Sequence, residues 1–336
     1  MKTARRLPTL IAAFFGCAIA ANIANRAMAQ APSSALVVLN KEERSLVIVD
    51  PMAKKVVGRV PTGEAPHEVT VSDDGKLAFV GNYGSQTPGS TISVIDLVAQ
   101  KELRRVDLGP LRRPHGIVFA DNKVYFTAEL NRLVARYDPA SNQVDWIMGT
   151  GQTTTHMILV TRDTSKIFTA NIGSDSIAVL ERGSNPLTWT ETVIPVGKGP
   201  EGIDLSPDEK EIWTAHSRDG GVSIVDVATK KVTGTLNLRT KRSNRLKFTP
   251  DAKLVLVSDL DAGELVVTDR ATKKEIKRLR LGKSPEGILI QPDGSRAYVA
   301  VNGDNAVAII DLKTLAEIGR IPTGSGPDGM AWALRR

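Results

Sequence analysis

The chain has 336 residues, one cysteine and a formal net charge of +7. Removal of an N-terminal export signal, described next, would take away that cysteine and four basic residues, leaving 40 basic against 37 acidic residues and a net charge of +3. Such a mature chain has no disulfides, thiolate metal sites or cysteine nucleophiles, and its charge gives no case for nucleic-acid binding.

The first 29 residues have the pattern of an export signal. Residues 1–6 carry three basic side chains, residues 7–21 are mostly apolar, and residues 27–29 (Ala-Met-Ala) provide a cleavage site between small residues. The apolar stretch is too short for a stable membrane span. We therefore expect a soluble protein of residues 30–336, periplasmic or secreted and forming one domain; an adjacent pair of arginines leaves the twin-arginine route open.

An internal repeat organises the remaining chain. The segment "PEGIDLSPDEKEIWTAHSRDGGVSIVDVATKKVTGTLNL" (200–238) aligns with "PEGILIQPDGSRAYVAVNGDNAVAIIDLKTLAEIGRIPTG" (285–324). Each copy contains four short runs rich in Val and Ile, separated by Gly, Pro, Asp or Asn, and no stretch has a sustained helical period. The pattern predicts four β-strands per repeat.

Seven such repeats follow one another along the chain, and their first strands begin, in chain order, at His67, His115, His156, Glu201, Asn244, Glu286 and Asp328. Four strands per repeat at this spacing predict an all-β, seven-bladed β-propeller with antiparallel blades. The mature chain starts with a second-type strand (35–40) and finishes with a first-type strand (328–334). We therefore expect the ring to close by pairing of these two terminal strands in one blade.

Short motifs identify a family that this repeat resembles. They are "FVGN" (79–82), "FTAN" (168–171) and "YVAVN" (298–302), followed by "SVIDL" (93–97), "SIVDV" (223–227) and "AIIDL" (308–312). They resemble the bacterial YVTN-type β-propeller repeat, which belongs with the propellers similar to the quinoprotein amine dehydrogenase β-chain and to lactonases. The resemblance covers the whole mature chain and implies the propeller fold, whereas such propellers serve as enzymes, cofactor-bearing subunits or binding scaffolds.

The strand order separates two rims of the ring. Third strands end on the far rim in aspartates that we expect to accept backbone N–H bonds within their own turns, namely Asp50, Asp96, Asp138, Asp226, Asp269 and Asp311. First strands start and second strands end on the near rim. The second-strand ends are assigned to Asn40, Asn82, Glu129, Asn171, His216, Asp259 and Val301. All four histidines of the chain therefore fall on the near rim, where Glu129 and His216 depart from the asparagine that this repeat uses structurally.

Three consecutive blades place His67, His115 and His156 at one level of the channel mouth. Converging neutral imidazoles suit Zn, Cu, Fe or Ni, and a carboxylate ligand such as Glu201 or Glu286 would extend the choice of metal to Mn. We predict a divalent metal site formed by the three histidines and Glu286, with an open position for water or a substrate oxygen. Wet polar turn residues are the alternative interpretation of these histidines.

Proton transfer in such a site is assigned to Glu201, His216 and Glu129. A metal-free variant is also open, in which Glu201 orients His216 as a general base. By resemblance to lactonase-like and streptogramin-lyase-like propellers, the expected activity is hydrolysis or elimination on a small polar substrate. The second hypothesis is a non-catalytic periplasmic protein that carries a ligand or metal, or that partners a quinoprotein or cytochrome oxidation system.

Overall fold

The computed structural model describes residues 34–335, which form seven four-stranded antiparallel sheets. The innermost strand of each sheet contacts the innermost strands of both neighbouring sheets in a closed cycle. The predicted seven-bladed β-propeller is therefore confirmed. The predicted export signal lies outside the described residues and stays a prediction, and within residues 34–335 we find no helix of the length and apolar character that a membrane crossing requires.

Each blade runs from an innermost strand at the channel to an outermost strand at the surface. Blade 1 contains β28 (Pro327–Leu334), β1 (Ser34–Asn40), β2 (Ser45–Asp50) and β3 (Lys55–Pro61). Blade 2 contains β4 (Pro66–Val71), β5 (Leu77–Gly84), β6 (Pro88–Asp96) and β7 (Lys101–Asp107). Blade 3 contains β8 (Pro114–Ala120), β9 (Lys123–Ala128), β10 (Leu133–Asp138) and β11 (Gln143–Gly149). Blade 4 contains β12 (Thr155–Val160), β13 (Lys166–Asn171), β14 (Ser176–Arg182) and β15 (Trp189–Pro195).

The remaining blades repeat this order. Blade 5 contains β16 (Pro200–Leu205), β17 (Glu211–His216), β18 (Gly221–Asp226) and β19 (Lys231–Asn237). Blade 6 contains β20 (Ser243–Phe248), β21 (Leu254–Asp259), β22 (Glu264–Asp269) and β23 (Lys274–Arg280). Blade 7 contains β24 (Pro285–Ile290), β25 (Arg296–Val301), β26 (Ala306–Asp311) and β27 (Ala316–Pro322). The helical segments of the described chain are single 3-10 turns at Glu129–Asn131, Ile172–Ser174 and Asn302–Asp304.

The core lies between the blades, because each sheet presents an apolar face to each of its two neighbours. The second and third strands are buried along most of their length, while the fourth strands are largely exposed. One cluster joins Phe79 of blade 2 to Phe126 and Tyr137 of blade 3. Stacking of blades thus buries the faces that a single four-stranded sheet would leave in water.

Two further expectations about the repeat are confirmed. Strand β28 pairs with β1, for example Trp332 with Leu36, so the two terminal strands close the ring in one blade. The far-rim aspartates accept backbone N–H bonds from their own turns, as Asp50 does from Met52 and Ala53, each at 2.9 Å. These aspartates therefore have a structural role, which leaves the near rim as the place to look for a site.

Candidate functional site

A β-bulge at the start of every innermost strand orients the near-rim residues. In blade 3, Pro114 pairs with Ala128 and Ile117 pairs with Phe126, so two residues of β8 oppose one residue of β9. The same shift occurs in the other six blades. An extra residue locally re-aims side chains, and the bulged positions include all seven predicted strand starts.

Blades 2, 3 and 4 present a row of imidazoles, which we call the imidazole wall: His67, His115 and His156. The ring centroids of His67 and His115 are 5.3 Å apart, and those of His115 and His156 are 3.8 Å apart with an interplanar angle of 30°. Thr127 fixes the spacing of blades 3 and 4, since its hydroxyl accepts from Gly116 N and donates to the carbonyl of His156.

Burial keeps two of these imidazoles neutral. It lowers the pKa of His67 to about 4, and it lowers the pKa of His115 well below the usual value, with the neighbouring histidines adding to the effect. His67 Nδ1 lies 2.8 Å from the carbonyl oxygen of Ala65, whereas His115 Nδ1 is buried and has no hydrogen-bond partner. A neutral imidazole has a lone pair that can accept a proton or bind a metal.

His156 forms a carboxylate-imidazole pair with Glu129. His156 Nδ1 lies 2.8 Å from Glu129 Oε1, and the other carboxylate oxygen of Glu129 accepts from the Tyr83 hydroxyl. Although burial opposes it, these bonds lower the pKa of Glu129, so this side chain is a carboxylate. An Nδ1–H donated to that carboxylate leaves the lone pair on Nε2, which is buried without a partner.

Blades 1, 6 and 7 present charged side chains, which we call the ionic wall: Lys41, Arg245, Glu286 and Asp328. Lys41 Nζ lies 2.6 Å from Glu286 and 3.3 Å from Asp328. Arg245 is 6% exposed, and its guanidinium lies 4.0 Å from Asp328. These contacts pair each buried cation with carboxylates, as burial of charge requires.

One ion pair of the ionic wall crosses the channel. Arg245 of blade 6 donates two bonds to Glu68 of blade 2, one of them from Nε at 3.1 Å. Both are the second residue of their bulge, a position that holds glycine in blades 1, 3, 5 and 7. The pair therefore connects opposite sides of the ring.

The carboxyl groups of Glu286 and Asp328 affect each other's pKa. Burial and the adjacent Asp328 carboxylate raise the pKa of Glu286 to about 8, against the opposing effect of Lys41. Lys41 and Arg245 overcome the effect of burial and lower the pKa of Asp328 to about 2. Near neutral pH, Glu286 is thus mostly protonated beside an ionised Asp328.

The two walls line one cavity of about 190 Å³, and Glu201 lies between them. Asn244 Nδ2 donates to Glu201 Oε1 at 2.8 Å, which leaves Oε2 available as an acceptor. A second pocket of about 520 Å³ adjoins this cavity and shares Lys41, His67 and Tyr83 with it. The cavity and the adjoining outer pocket together suit a small polar molecule.

The structure brings together most of the residues predicted from the sequence, but not His216. His67, His115, His156, Glu201 and Glu286 line the cavity, and Glu129 bonds His156. His216 lines a separate pocket, with Nδ1 2.8 Å from Asp219 and Nε2 buried without a partner. The predicted Glu201–His216 pair is therefore wrong: His216 and Asp219 occupy the place where Asn82 of blade 2 makes its bonds.

Sequence reasoning missed Lys41, Tyr83, Glu68 and Arg245. The strand register explains the first two, because Pro114 pairs with Ala128 and Glu129 is therefore one residue beyond the strand end. Lys41 and Tyr83 directly follow Asn40 and Asn82 in the same way. The position after each of these asparagines was therefore the sequence signal for a side chain that lines the cavity. Glu68 and Arg245 could have been found as charged residues at a position that is glycine in most repeats.

The metal site stays a prediction. Within residues 34–335, no three His, Cys, Asp or Glu side chains are grouped as they stand in a way that would hold a metal ion. Glu286 is engaged by Lys41, and His156 uses one ring nitrogen for Glu129. His115 Nδ1 and His156 Nε2 nevertheless remain as buried nitrogens without partners, and neutral imidazole is a good metal ligand.

Fold and site together define a β-propeller with a polar site at one mouth of its central channel. The family model of the YNCE-like β-propellers matches residues 5–184 and 164–333. The chain belongs to that family.

The chain is also similar to several individual proteins, by sequence or by structure. Antigen Lp49 of Leptospira interrogans is 31% identical over 94 residues, which span 28% of this chain and about a fifth (21%) of that protein. The periplasmic gluconolactonase PpgL of Pseudomonas aeruginosa superposes with a TM-score of 0.73 at 16% identity, covering 90% of this chain and 99% of PpgL. A chain of Kuenenia stuttgartiensis hydrazine synthase superposes with a TM-score of 0.66 at 20% identity, covering 79% and 88%. At these identities the structural matches show the shared fold alone.

Proposed function

We propose that the protein is an exported hydrolase that opens a lactone or ester of a small polar molecule in the channel mouth. The observation that carries the proposal is the buried Glu129–His156 pair, whose free Nε2 has no protein partner. A carboxylate-oriented imidazole is a common general base. The lactonase named among the structural neighbours supports the choice of substrate class by analogy of fold.

The first chemical step uses the imidazole wall. Water attacks the ester carbonyl carbon while His156 Nε2 takes a proton from the water, and Glu129 stabilises the resulting imidazolium. A C–O bond forms, and the carbonyl electron pair moves onto oxygen. Lys41 has three N–H donors, two of which its contacts to Glu286 and Asp328 occupy, so the third is available to that oxyanion.

The second step uses the ionic wall. The oxyanion collapses, the bond to the ring or alcohol oxygen breaks, and the leaving oxygen takes a proton from Glu286. The pKa of Glu286, raised to about 8 chiefly by burial, makes this carboxyl a proton donor near neutral pH. Glu201 Oε2 would accept a hydrogen bond from a substrate hydroxyl. The product is a hydroxy acid, and a proton passes from His156 through solvent to Glu286, which restores both groups.

The test is hydrolysis of glucono-1,5-lactone and a panel of small esters by the purified protein, followed by pH-stat with the spontaneous rate subtracted. We expect His156→Ala to lower kcat/KM by about 100-fold or more, on the scale of lost general-base catalysis. His216→Asn is the matched control, because it removes a histidine outside the cavity and restores the asparagine of the repeat; its activity should equal that of the unaltered protein. Binding without turnover would contradict the hydrolase and favour a ligand carrier or a scaffold for a periplasmic partner, whereas full activity of His156→Ala would contradict His156 as the general base.

Metal binding is a second proposal, supported by the two buried nitrogens without partners on His115 and His156. His67, His115 and His156 would hold the ion, with Glu286 as a further ligand if it is released from Lys41. A bound divalent ion would polarise a carbonyl or acidify water. Dialysis against Zn, Cu, Mn, Fe and Ni followed by elemental analysis should show about one ion per chain, and His115→Ala should lose it; no retained metal would contradict the proposal.

A further inference from the structure

The outer pocket is connected to His156 by an unbroken series of hydrogen bonds. Arg113 Nη1 donates to the Tyr83 hydroxyl at 2.9 Å, Tyr83 donates to Glu129, and Glu129 Oε1 lies 2.8 Å from His156 Nδ1. The guanidinium also stacks on the Tyr83 ring, 4.6 Å from its centroid. The series passes from blade 2 and blade 3 to blade 4, since Tyr83 follows Asn82 on β5 while Glu129 follows β9.

The fold does not require an arginine at position 113. Its backbone is left-handed, with φ +56°, just before an innermost strand. Equivalent left-handed residues precede other innermost strands, namely Ala65, Thr154, Gly199, Ser284 and Gly326. Glycine is the least strained residue in this conformation, so the arginine side chain has a role beyond the turn.

Tyr83 is likewise specific to its blade. The residues at its position in the other blades are Lys41, Glu129, Ile172, Ser217, Leu260 and Asn302. Burial, aided by the adjacent Glu129 carboxylate, raises the pKa of Tyr83 to about 12, so its hydroxyl keeps its proton and can donate. It therefore holds the carboxylate oxygen of Glu129 that His156 does not contact.

We propose that Arg113 and Tyr83 are positioning residues that fix the Glu129 carboxylate and, through it, the ring orientation and tautomer of His156. The proposal rests on the hydrolase function above and names the residues that align its base. The Tyr83 hydroxyl holds one carboxylate oxygen of Glu129, which directs the other oxygen at His156 Nδ1. The ring is thus held with Nδ1 toward Glu129 and with Nε2 left without a protein partner.

Kinetics supply the first arm of the test. In Tyr83→Phe, Glu129 loses the bond that fixes its carboxylate, so the His156 ring is no longer held in one orientation and Nε2 is misaligned for part of the time. We expect kcat to fall by about 5- to 10-fold with KM changed less than about 2-fold. Arg113→Gln should lower kcat in the same direction, and Arg113→Lys should restore it in part. Tyr298→Phe and Arg278→Gln are matched controls, since both remove bonds of side chains that line neither the cavity nor the outer pocket.

Nitrogen-15 NMR of the histidine rings supplies the second arm, and it does not depend on activity. The unaltered protein should show His156 protonated on Nδ1, and Tyr83→Phe should show a mixture of the two neutral tautomers. An unchanged ring spectrum and an unchanged kcat in both Tyr83→Phe and Arg113→Gln, with His156→Ala inactive, would overturn this inference alone. Absence of hydrolysis in the unaltered protein would overturn the proposed function, while the ring spectra still decide the coupling.

Discussion

The two sides of the channel mouth use the same backbone position for opposite purposes. On the imidazole wall, bulged residues of blades 2 to 4 are imidazole rings that contact one another. On the ionic wall, the bulged residues of blades 6, 7 and 1 are an arginine and two carboxyl groups, and Lys41 contacts both carboxyl groups. Seven copies of one bulge thus supply a fixed frame in which single substitutions decide the chemistry, while the rest of each strand maintains the fold.

The two walls also differ in how they contribute to the stability of the fold. Neutral rings cost little to bury, whereas each buried ion depends on its partner. The ionic wall should therefore be the more sensitive to loss of one member, and the imidazole wall the more sensitive to acid.

The largest expected effect comes from breaking the ion pair that crosses the channel. Arg245→Met leaves the buried Glu68 without its cation, and we expect the free energy of unfolding to fall by about 3–5 kcal/mol in denaturant titrations. The double variant Glu68→Leu/Arg245→Met removes both charges and should lose clearly less. Equal losses in the single and double variants would show that packing of the arginine, and not its charge, holds the wall.

Acid should weaken the imidazole wall. Because the pKa of His67 is lowered to about 4 and that of His115 is lowered further, the stability that comes from these neutral rings is present above about pH 6.5 and is lost as pH falls towards 4. We expect the free energy of unfolding of the unaltered protein to drop over this range by about 2 kcal/mol more than that of His67→Gln/His115→Gln. Parallel pH profiles of the two proteins would refute this account of the wall.

Glycines behind the two walls should differ in their tolerance of a side chain. A Cβ on Gly287 would lie 2.2 Å from the carbonyl oxygen of Asp328, and a Cβ on Gly116 would lie 2.7 Å from that of His156. Both alanine variants should be destabilised, Gly287→Ala by about 1–3 kcal/mol and Gly116→Ala by less. Gly149→Ala, where the new atom meets nothing within 4 Å, is the control in thermal unfolding. The reverse order would mean that the imidazole half is packed more tightly.

Raising the pH should weaken the ionic wall. The raised pKa of Glu286 contributes stability below about pH 4.5, which is lost as pH rises towards 8, because the folded protein then holds a second buried carboxylate beside Asp328. The free energy of unfolding of Glu286→Gln should therefore fall less between pH 5 and pH 8 than that of the unaltered protein. A steeper fall in the variant would contradict the assignment of the proton to Glu286.

The sequence predicted the ring and its rim better than the contacts within the rim. Repeat spacing was enough to place His67, His115 and His156 together, because equivalent strand starts meet at one level of a propeller. Spacing could not show that a bulge sends two successive residues toward the channel, so Glu68 and Arg245 escaped notice.

The partner of each titratable group was harder to predict. His216 pairs with Asp219 and Glu129 pairs with His156 because of loop conformations and a one-residue offset in register. Such contacts depend on tertiary structure, whereas the strand pattern records only which residues share a rim.

Ring closure by β28 and β1 sets the order in which the site is made. Lys41 directly follows the first strand, and Asp328 lies on the last, yet the two side chains form an ion pair. During synthesis, nearly the whole chain must therefore be made after Lys41 before Asp328 is present. A growing or shortened chain can carry the complete imidazole wall and still lack the ionic wall, so the finished site appears only at the final closure of the ring.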